Sequence, residues 1–129
     1  MTKLNFYDTV VIGAGPSGIV AAEYLRQKNK TVLIEAINNK DIPNYHLNYI
    51  WDAIEVIKEL QHPALGLELD LYHAQIMSGN LTSIIKTSMK YTKHMQIASP
   101  PKRYEPGKGE INYPFIFKLI DKLNYEGHI

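Results

Sequence analysis

Short apolar runs of strand character alternate with stretches of helical spacing along the whole chain, and this alternation confines it to α/β folds with parallel strands. Thr9 to Ile12 and Thr31 to Ile34 are β-branched runs of the kind buried on both faces of a parallel sheet. Leu65 to Leu71 and Lys93 to Ala98 read as two further strands. A helical pattern follows each run. The first spans Ser17 to Lys28. The second opens after Asn48, which stands in N-cap position, with Ile50, Ala53, Ile54, Ile57 and Leu60 at helical spacing. The third begins near Asn80, with Leu81, Ile84, Ile85 and Met89 on one face. In the fourth, Pro114 suits a first turn, and Phe115, Ile116, Leu119, Ile120 and Leu123 form the apolar face. Gly127 to Ile129 stands where another strand would begin. Four βα units and a strand stub in 129 residues amount to about half of a (β/α)₈ barrel, which usually needs about 250.

Composition narrows the partners. The formal net charge is +1 and no basic stripe is present, so no nucleic-acid partner is expected. With no cysteine there is no disulfide framework, thiolate metal site or cysteine nucleophile. The first residues lack the pattern of a signal peptide, and no apolar run is long enough to span a bilayer. The expected compartment is the cytoplasm, with no membrane association.

The strongest short motif is V-V-I-G-A-G-P-S-G, in which Gly13, Gly15 and Gly18 make a G-x-G-x-x-G turn between a strand and a helix. Such glycines permit a tight turn, close approach to a pyrophosphate and close helix–strand packing. The helix N-terminus then offers free N–H groups to the phosphate. Glu35 closes the second strand where an acid would accept hydrogen bonds from an adenosine ribose. Tyr7 to Ala36 resembles the FAD- or NAD-binding fingerprint of flavoprotein oxidoreductases. A glycine-rich βα turn that binds nothing is the alternative reading of the same residues.

Glu35, Asp70 and Gln96 lie at or near the ends of three successive predicted strands. Oxygen ligands so placed converge at the C-terminal face of a barrel, and they suit a hard divalent ion such as Mg²⁺ or Mn²⁺. Asp70 could equally cap the turn that follows it. His46, His62, His94 and His128 read as surface or packing residues, Glu110 as structural, and the aromatic residues of the last helix as core.

From Thr31 onward the chain resembles the hydroxypyruvate isomerase family of xylose-isomerase-like TIM barrels. Four stretches carry the resemblance: T-V-L-I-E-A-I-N-N-K-D-I-P-N-Y-H-L-N, L-E-L-D-L-Y-H-A-Q-I-M-S-G-N-L-T, H-M-Q-I-A-S-P-P-K-R-Y-E-P-G-K-G-E-I-N-Y-P-F-I-F and L-N-Y-E-G-H-I. The resemblance implies that Glu35 is a metal ligand and one of two glutamates that shuttle a proton. Asp70 and Gln96 would be further ligands. His73, in D-x-x-H, and Arg103 would hold the oxygens and carboxylate of a small hydroxy-keto acid. The implied reaction interconverts hydroxypyruvate and tartronate semialdehyde through an enediolate, with the metal as Lewis acid and a carboxylate carrying the proton.

The chain departs from that pattern in three ways. Ala36 and Asn44 stand where the family usually has proline and glycine. The first four βα units of the barrel are replaced by the dinucleotide-type strand and helix. The second catalytic glutamate of the family would fall beyond Ile129. Residues 1–30 are therefore expected to be a Rossmann-like strand–turn–helix, and 31–129 the C-terminal half of a barrel, ending before its last strand. Such a composite fragment would show little or no isomerase activity alone. It is expected to self-associate or to need a complementing half-barrel, because a half-barrel leaves strand edges uncovered.

Overall fold

The computed structural model describes residues 20, 23–25, 27, 28 and 30–129. The strand expected at Thr9–Ile12 and the turn of Gly13, Gly15 and Gly18 lie outside the described residues. Val20, Glu23, Tyr24, Leu25 and Gln27 are helical, within the span expected for the first helix.

Three strands form one parallel sheet in the order β1 (Val32–Glu35), β2 (Leu65–Asp70) and β3 (Thr92–Gln96). The connections contain α1 (Ile50–Leu60), then α2 (Leu71–Met77) and α3 (Leu81–Ser88), and α4 (Tyr113–Lys122) follows β3. These are the successive βα units of a partial TIM barrel, seen as an open sheet. The terminal stub behaves as the next strand: His128 bridges His94 in parallel, and its carbonyl accepts the Met95 N–H at 3.0 Å.

Side chains alternate along each strand, so register decides which residues share a face. Ile34 is opposite Leu67, and Leu69 opposite Met95. Leu67, Leu69 and Met95 join the core with Ile50, Ala53, Ile54 and Ile57 of α1, Ile84 and Ile85 of α3, and Ile116 and Ile120 of α4. The other face carries the polar row. Glu35 is opposite Glu68, and Asp70 opposite Gln96. Between Leu67 and Glu68 the register slips by one residue, with Thr92 opposite Leu67 and His94 opposite Glu68, so Lys93 is a bulge. Gly66 lacks a side chain for a related reason: a Cβ there would stand 2.3 Å from Lys93 Cγ.

Several local expectations change. Asn48 does not cap α1. Tyr49 occupies the N-cap position, and Asn48 Nδ2 instead donates to the Ile37 carbonyl at 2.8 Å, tying the preceding loop to β1. The segment after Asp70 is helix α2, with no intervening loop. Pro114 lies in the first turn of α4, where the Asn112 side chain accepts the Phe115 N–H at 3.2 Å. The aromatic residues of α4 are not all core. Tyr113 is buried, whereas Phe115 and Phe117 are 53% and 36% exposed, because the buried face of α4 runs through Ile116 and Ile120. Asn44, at a position where the resembled family carries glycine, has φ +66°, a left-handed conformation that asparagine tolerates better than most residues.

Candidate metal and substrate site

The site starts from Asp70, which ends β2 and caps α2 in one residue. Its Oδ1 accepts the Tyr72 N–H at 2.8 Å, satisfying one of the free donors of the helix start. Oδ2 remains for the site and lies 3.3 Å from Arg103 Nη2 and 3.6 Å from His73 Nε2. Asp70 therefore does cap the turn that follows it, with one oxygen, and the other is left facing Arg103 and His73.

Glu35 ends β1 beside it and is 3% exposed. Its Oε1 lies 3.8 Å from His73 Nε2. Burial, followed by the negative charges of Glu68 and Asp70, pushes its pKa up to about 7, with Arg103 pulling the other way. His73 sits three residues into the D-L-Y-H run, one helical turn from Asp70, and is also buried. Burial is the largest influence on its pKa and lowers it, which favours the neutral imidazole.

The tautomer of His73 follows from Asn38, which is wholly buried. Asn38 Oδ1 accepts the backbone N–H groups of Lys40 and Asp41 at 3.0 and 2.8 Å. The amide nitrogen must then face the other way, where it donates to Asp41 Oδ2 at 3.0 Å and meets His73 Nδ1 at 2.7 Å. The Asn38 backbone N–H also points to Nδ1, at 3.3 Å. Nδ1 accepts from both, so the proton of the neutral ring sits on Nε2 and faces the carboxylates.

Arg103 comes from the long loop after β3 and has φ +57°, a left-handed conformation uncommon for a residue with a Cβ. Its guanidinium reaches Asp70 and stacks 5.2 Å over the Tyr72 ring, a cation–π arrangement. The Tyr72 hydroxyl donates to Asp41 Oδ2 at 2.6 Å. Hydrogen bonds from Asn38 and Tyr72 hold the Asp41 carboxyl below its usual range, while burial and that bond push the Tyr72 phenol up to about 12.

The structure thus brings Glu35, Asp70, His73 and Arg103 together. Gln96 stands opposite Asp70 in the register, half-buried, on the same face. Gly13, Gly15 and Gly18 lie outside the described residues. Asn38, Asp41, Tyr72, Glu68 and Tyr45 do not stand out as site residues from sequence. Tyr45 places a buried, unpartnered hydroxyl near Glu35, and burial and the Glu35 charge raise its pKa. The only hint in the sequence is that Asn38 and Asp41 lie in the loop just after the Glu35 strand.

Glu35, Asp70 and His73 each offer a ligand atom within 4.8 Å of the others, and all three are buried. Two carboxylates held this close in the interior, one pushed to about 7 by burial and the charge of its neighbours, form a donor set that a divalent cation fits. Because His73 carries its proton on Nε2, the lone pairs available within this cluster belong to the Glu35 and Asp70 oxygens, and Gln96 stands opposite Asp70 on the same face.

A family model described as a xylose isomerase-like TIM barrel matches residues 20–129. The chain is 42% identical over 109 residues to the 2-oxo-tetronate isomerase of Pectobacterium atrosepticum, covering 84% of this chain and 42% of that protein. It is 39% identical over 109 residues to the hydroxypyruvate isomerase of Escherichia coli, with the same two coverages of 84% and 42%. The crystal structure of an AP endonuclease, family 2, from Brucella melitensis superposes with a TM-score of 0.78 at 40% identity, over 84% of this chain and 42% of that one. The chain spans about two-fifths of the length of the curated relatives it matches. Among the described residues, no helix is long and apolar enough to cross a membrane.

Proposed function

The chain belongs to the xylose isomerase-like TIM barrel family, and on that footing we propose that it supplies one side of an isomerase site. The substrate would be a small hydroxy-keto acid of the hydroxypyruvate or 2-oxo-tetronate class, the class named for its relatives. The observation that carries this reading is the buried cluster of Glu35, Asp70 and His73 with the Arg103 guanidinium beside it.

Glu35, Asp70 and Gln96 would hold Mg²⁺ or Mn²⁺, which when bound supplies Lewis-acid stabilisation to a developing negative oxygen. Glu35 moves the proton between adjacent carbons. His73 Nε2–H donates to a substrate oxygen, held in that tautomer by Asn38. Arg103, stacked on Tyr72, offers its fork of N–H groups to the substrate carboxylate. The other strands of a closed barrel would come from a complementing half-barrel or a second copy. The working compartment on this reading is the cytoplasm.

Calorimetric titration of the chain with Mn²⁺, beside an Asp70→Ala variant, tests the assignment. Saturable binding in the parent that disappears in Asp70→Ala is the expected outcome. A variant that binds as the parent does would remove Asp70 from the site. A dinucleotide on Gly13, Gly15 and Gly18, with Glu35 toward its ribose, is a second reading supported by sequence alone. It requires FAD or NAD binding that Gly15→Val abolishes, and no nucleotide binding by the parent would end it.

A further inference from the structure

The most conspicuous polar group that this chemistry does not use is Glu68. It is wholly buried, and neither carboxylate oxygen meets a partner at hydrogen-bonding geometry. A buried carboxylate left in that state is costly and calls for a physical reason. Its position supplies one. Glu68 lies opposite Glu35 on β1 and two residues before Asp70, on the polar face of the sheet. Its oxygens are not part of the group formed by Glu35, Asp70 and His73, so it borders that cluster, level with Glu35 and two residues before Asp70.

Its neighbours narrow what it can do. Glu35 and Asp70 are acids and offer no donor when ionised. Arg103 is engaged with Asp70, and the His94 ring hydrogen-bonds the His128 backbone. The Gln96 side chain, across the strand pair and level with Asp70, is the neighbouring amide whose donor acts on the Glu68 carboxylate. Burial and the Asp70 charge raise the Glu68 pKa, and the Gln96 side chain already opposes them by favouring the ionised form.

We propose that Glu68 is a positioning residue for Gln96: it accepts a hydrogen bond from Gln96 Nε2–H and thereby turns the amide oxygen toward the Glu35 and Asp70 carboxylates. A glutamine amide has two ends that differ only in donor and acceptor character. An acceptor beneath the nitrogen end leaves the oxygen end for the cation, as outer residues do for metal ligands in general. The inference rests on the metal-site reading above.

The test is Mn²⁺ affinity by calorimetry, with thermal melts, for the parent chain, Glu68→Leu, Glu68→Gln, Gln96→Ala and the Glu68→Leu/Gln96→Ala pair. Glu68→Leu should weaken Mn²⁺ by about 10–100-fold while its melting temperature holds or rises, since a buried carboxylate that is costly to desolvate has gone. Glu68→Gln should keep parental affinity, because its carbonyl still accepts from Gln96. The double variant should bind no more weakly than Gln96→Ala alone. Parental affinity in Glu68→Leu, or losses that add in the double variant, would overturn the proposal. If Glu68→Leu loses its cooperative melt, Glu68→Met takes its place: weakened binding is again expected, and parental affinity again overturns the proposal. A parent that does not bind Mn²⁺ would instead bring down the metal-site reading, and this inference with it.

Discussion

Glu35 stores a pH dependence that the folded chain must reveal. Its carboxyl has an ordinary pKa of 4.5 and is held at about 7 in the fold. Between those values the folded state keeps a proton that the unfolded state releases. The stability tied to Glu35 is therefore fully present below 4.5 and is lost as pH rises through 7, at up to about 1.4 kcal/mol per unit. Glu68, also raised, acts in the same direction. His73 and His94, both lowered, act oppositely and lose stability as pH falls. Comparison with Glu35→Gln isolates the first contribution. From pH 5 to 7.5 the parent should lose about 2–3 kcal/mol relative to Glu35→Gln in urea melts without metal. Saturating Mn²⁺ should erase that difference, and a pH-independent difference would show that Glu35 is not held up by its surroundings. Glu35 and Asp70 are legible in the sequence as acids closing apolar runs. Glu68 is not, because an acid inside L-E-L-D reads as a solvent-facing alternate position until the register puts it on a covered face. Asn38 is hidden for another reason, since its contacts reach His73, 35 residues along the chain.

At the scale of elements, the loop after β3 sets the position of Arg103, and Gly109 sets the position of the loop. A Cβ on Gly109 would stand 2.3 Å from Ser99 Cβ and 2.4 Å from the Pro100 carbonyl oxygen. Backbone on one side cannot yield as a side-chain tip would. The loop is further closed by reciprocal hydrogen bonds between Ser99 and Tyr104 at 2.7 and 2.8 Å. Gly109→Ala should cost about 1–3 kcal/mol and displace Arg103 from Asp70. Chemical denaturation would read the first effect, and the Arg103 Nε–H resonance the second. A variant with both unchanged would show that the loop has another anchor. Most elements can be read from the sequence because α1, α3 and α4 carry helical spacing over eight to eleven residues. Helix α2 escapes such a reading because its seven residues follow a strand without a break. In β3 simple alternation would put Thr92 and Gln96 on one face. The bulge at Lys93 separates them: Thr92 Oγ1 bonds the Ser88 carbonyl of α3 at 3.1 Å, while Gln96 joins the polar row.

For the molecule as a whole, the open sheet is the dominant fact. All-parallel sheets are normally covered on both faces and closed or flanked at their edges. Among the described residues, β1 pairs with one strand only. Val20, Tyr24 and Leu60 are 71%, 61% and 61% exposed. The chain should therefore associate with itself as concentration rises, and sedimentation velocity across a concentration series measures this. A sharp monomer at high concentration would mean that the remaining surface is self-sufficient. The half-barrel is foreseeable from the number of βα units, whereas its exposed rim depends on which helix faces lack a neighbour, and spacing alone does not show that. The junction at Asp70 has a consequence for the dynamics of the whole. Strand β2 passes into α2 through a single residue, so no hinge lies between the core and the site. The Tyr72 amide, held by Asp70, should exchange with solvent deuterium only when the entire domain opens. Its protection is a gauge of global unfolding placed inside the site, and a ligand that steadies one must slow the other.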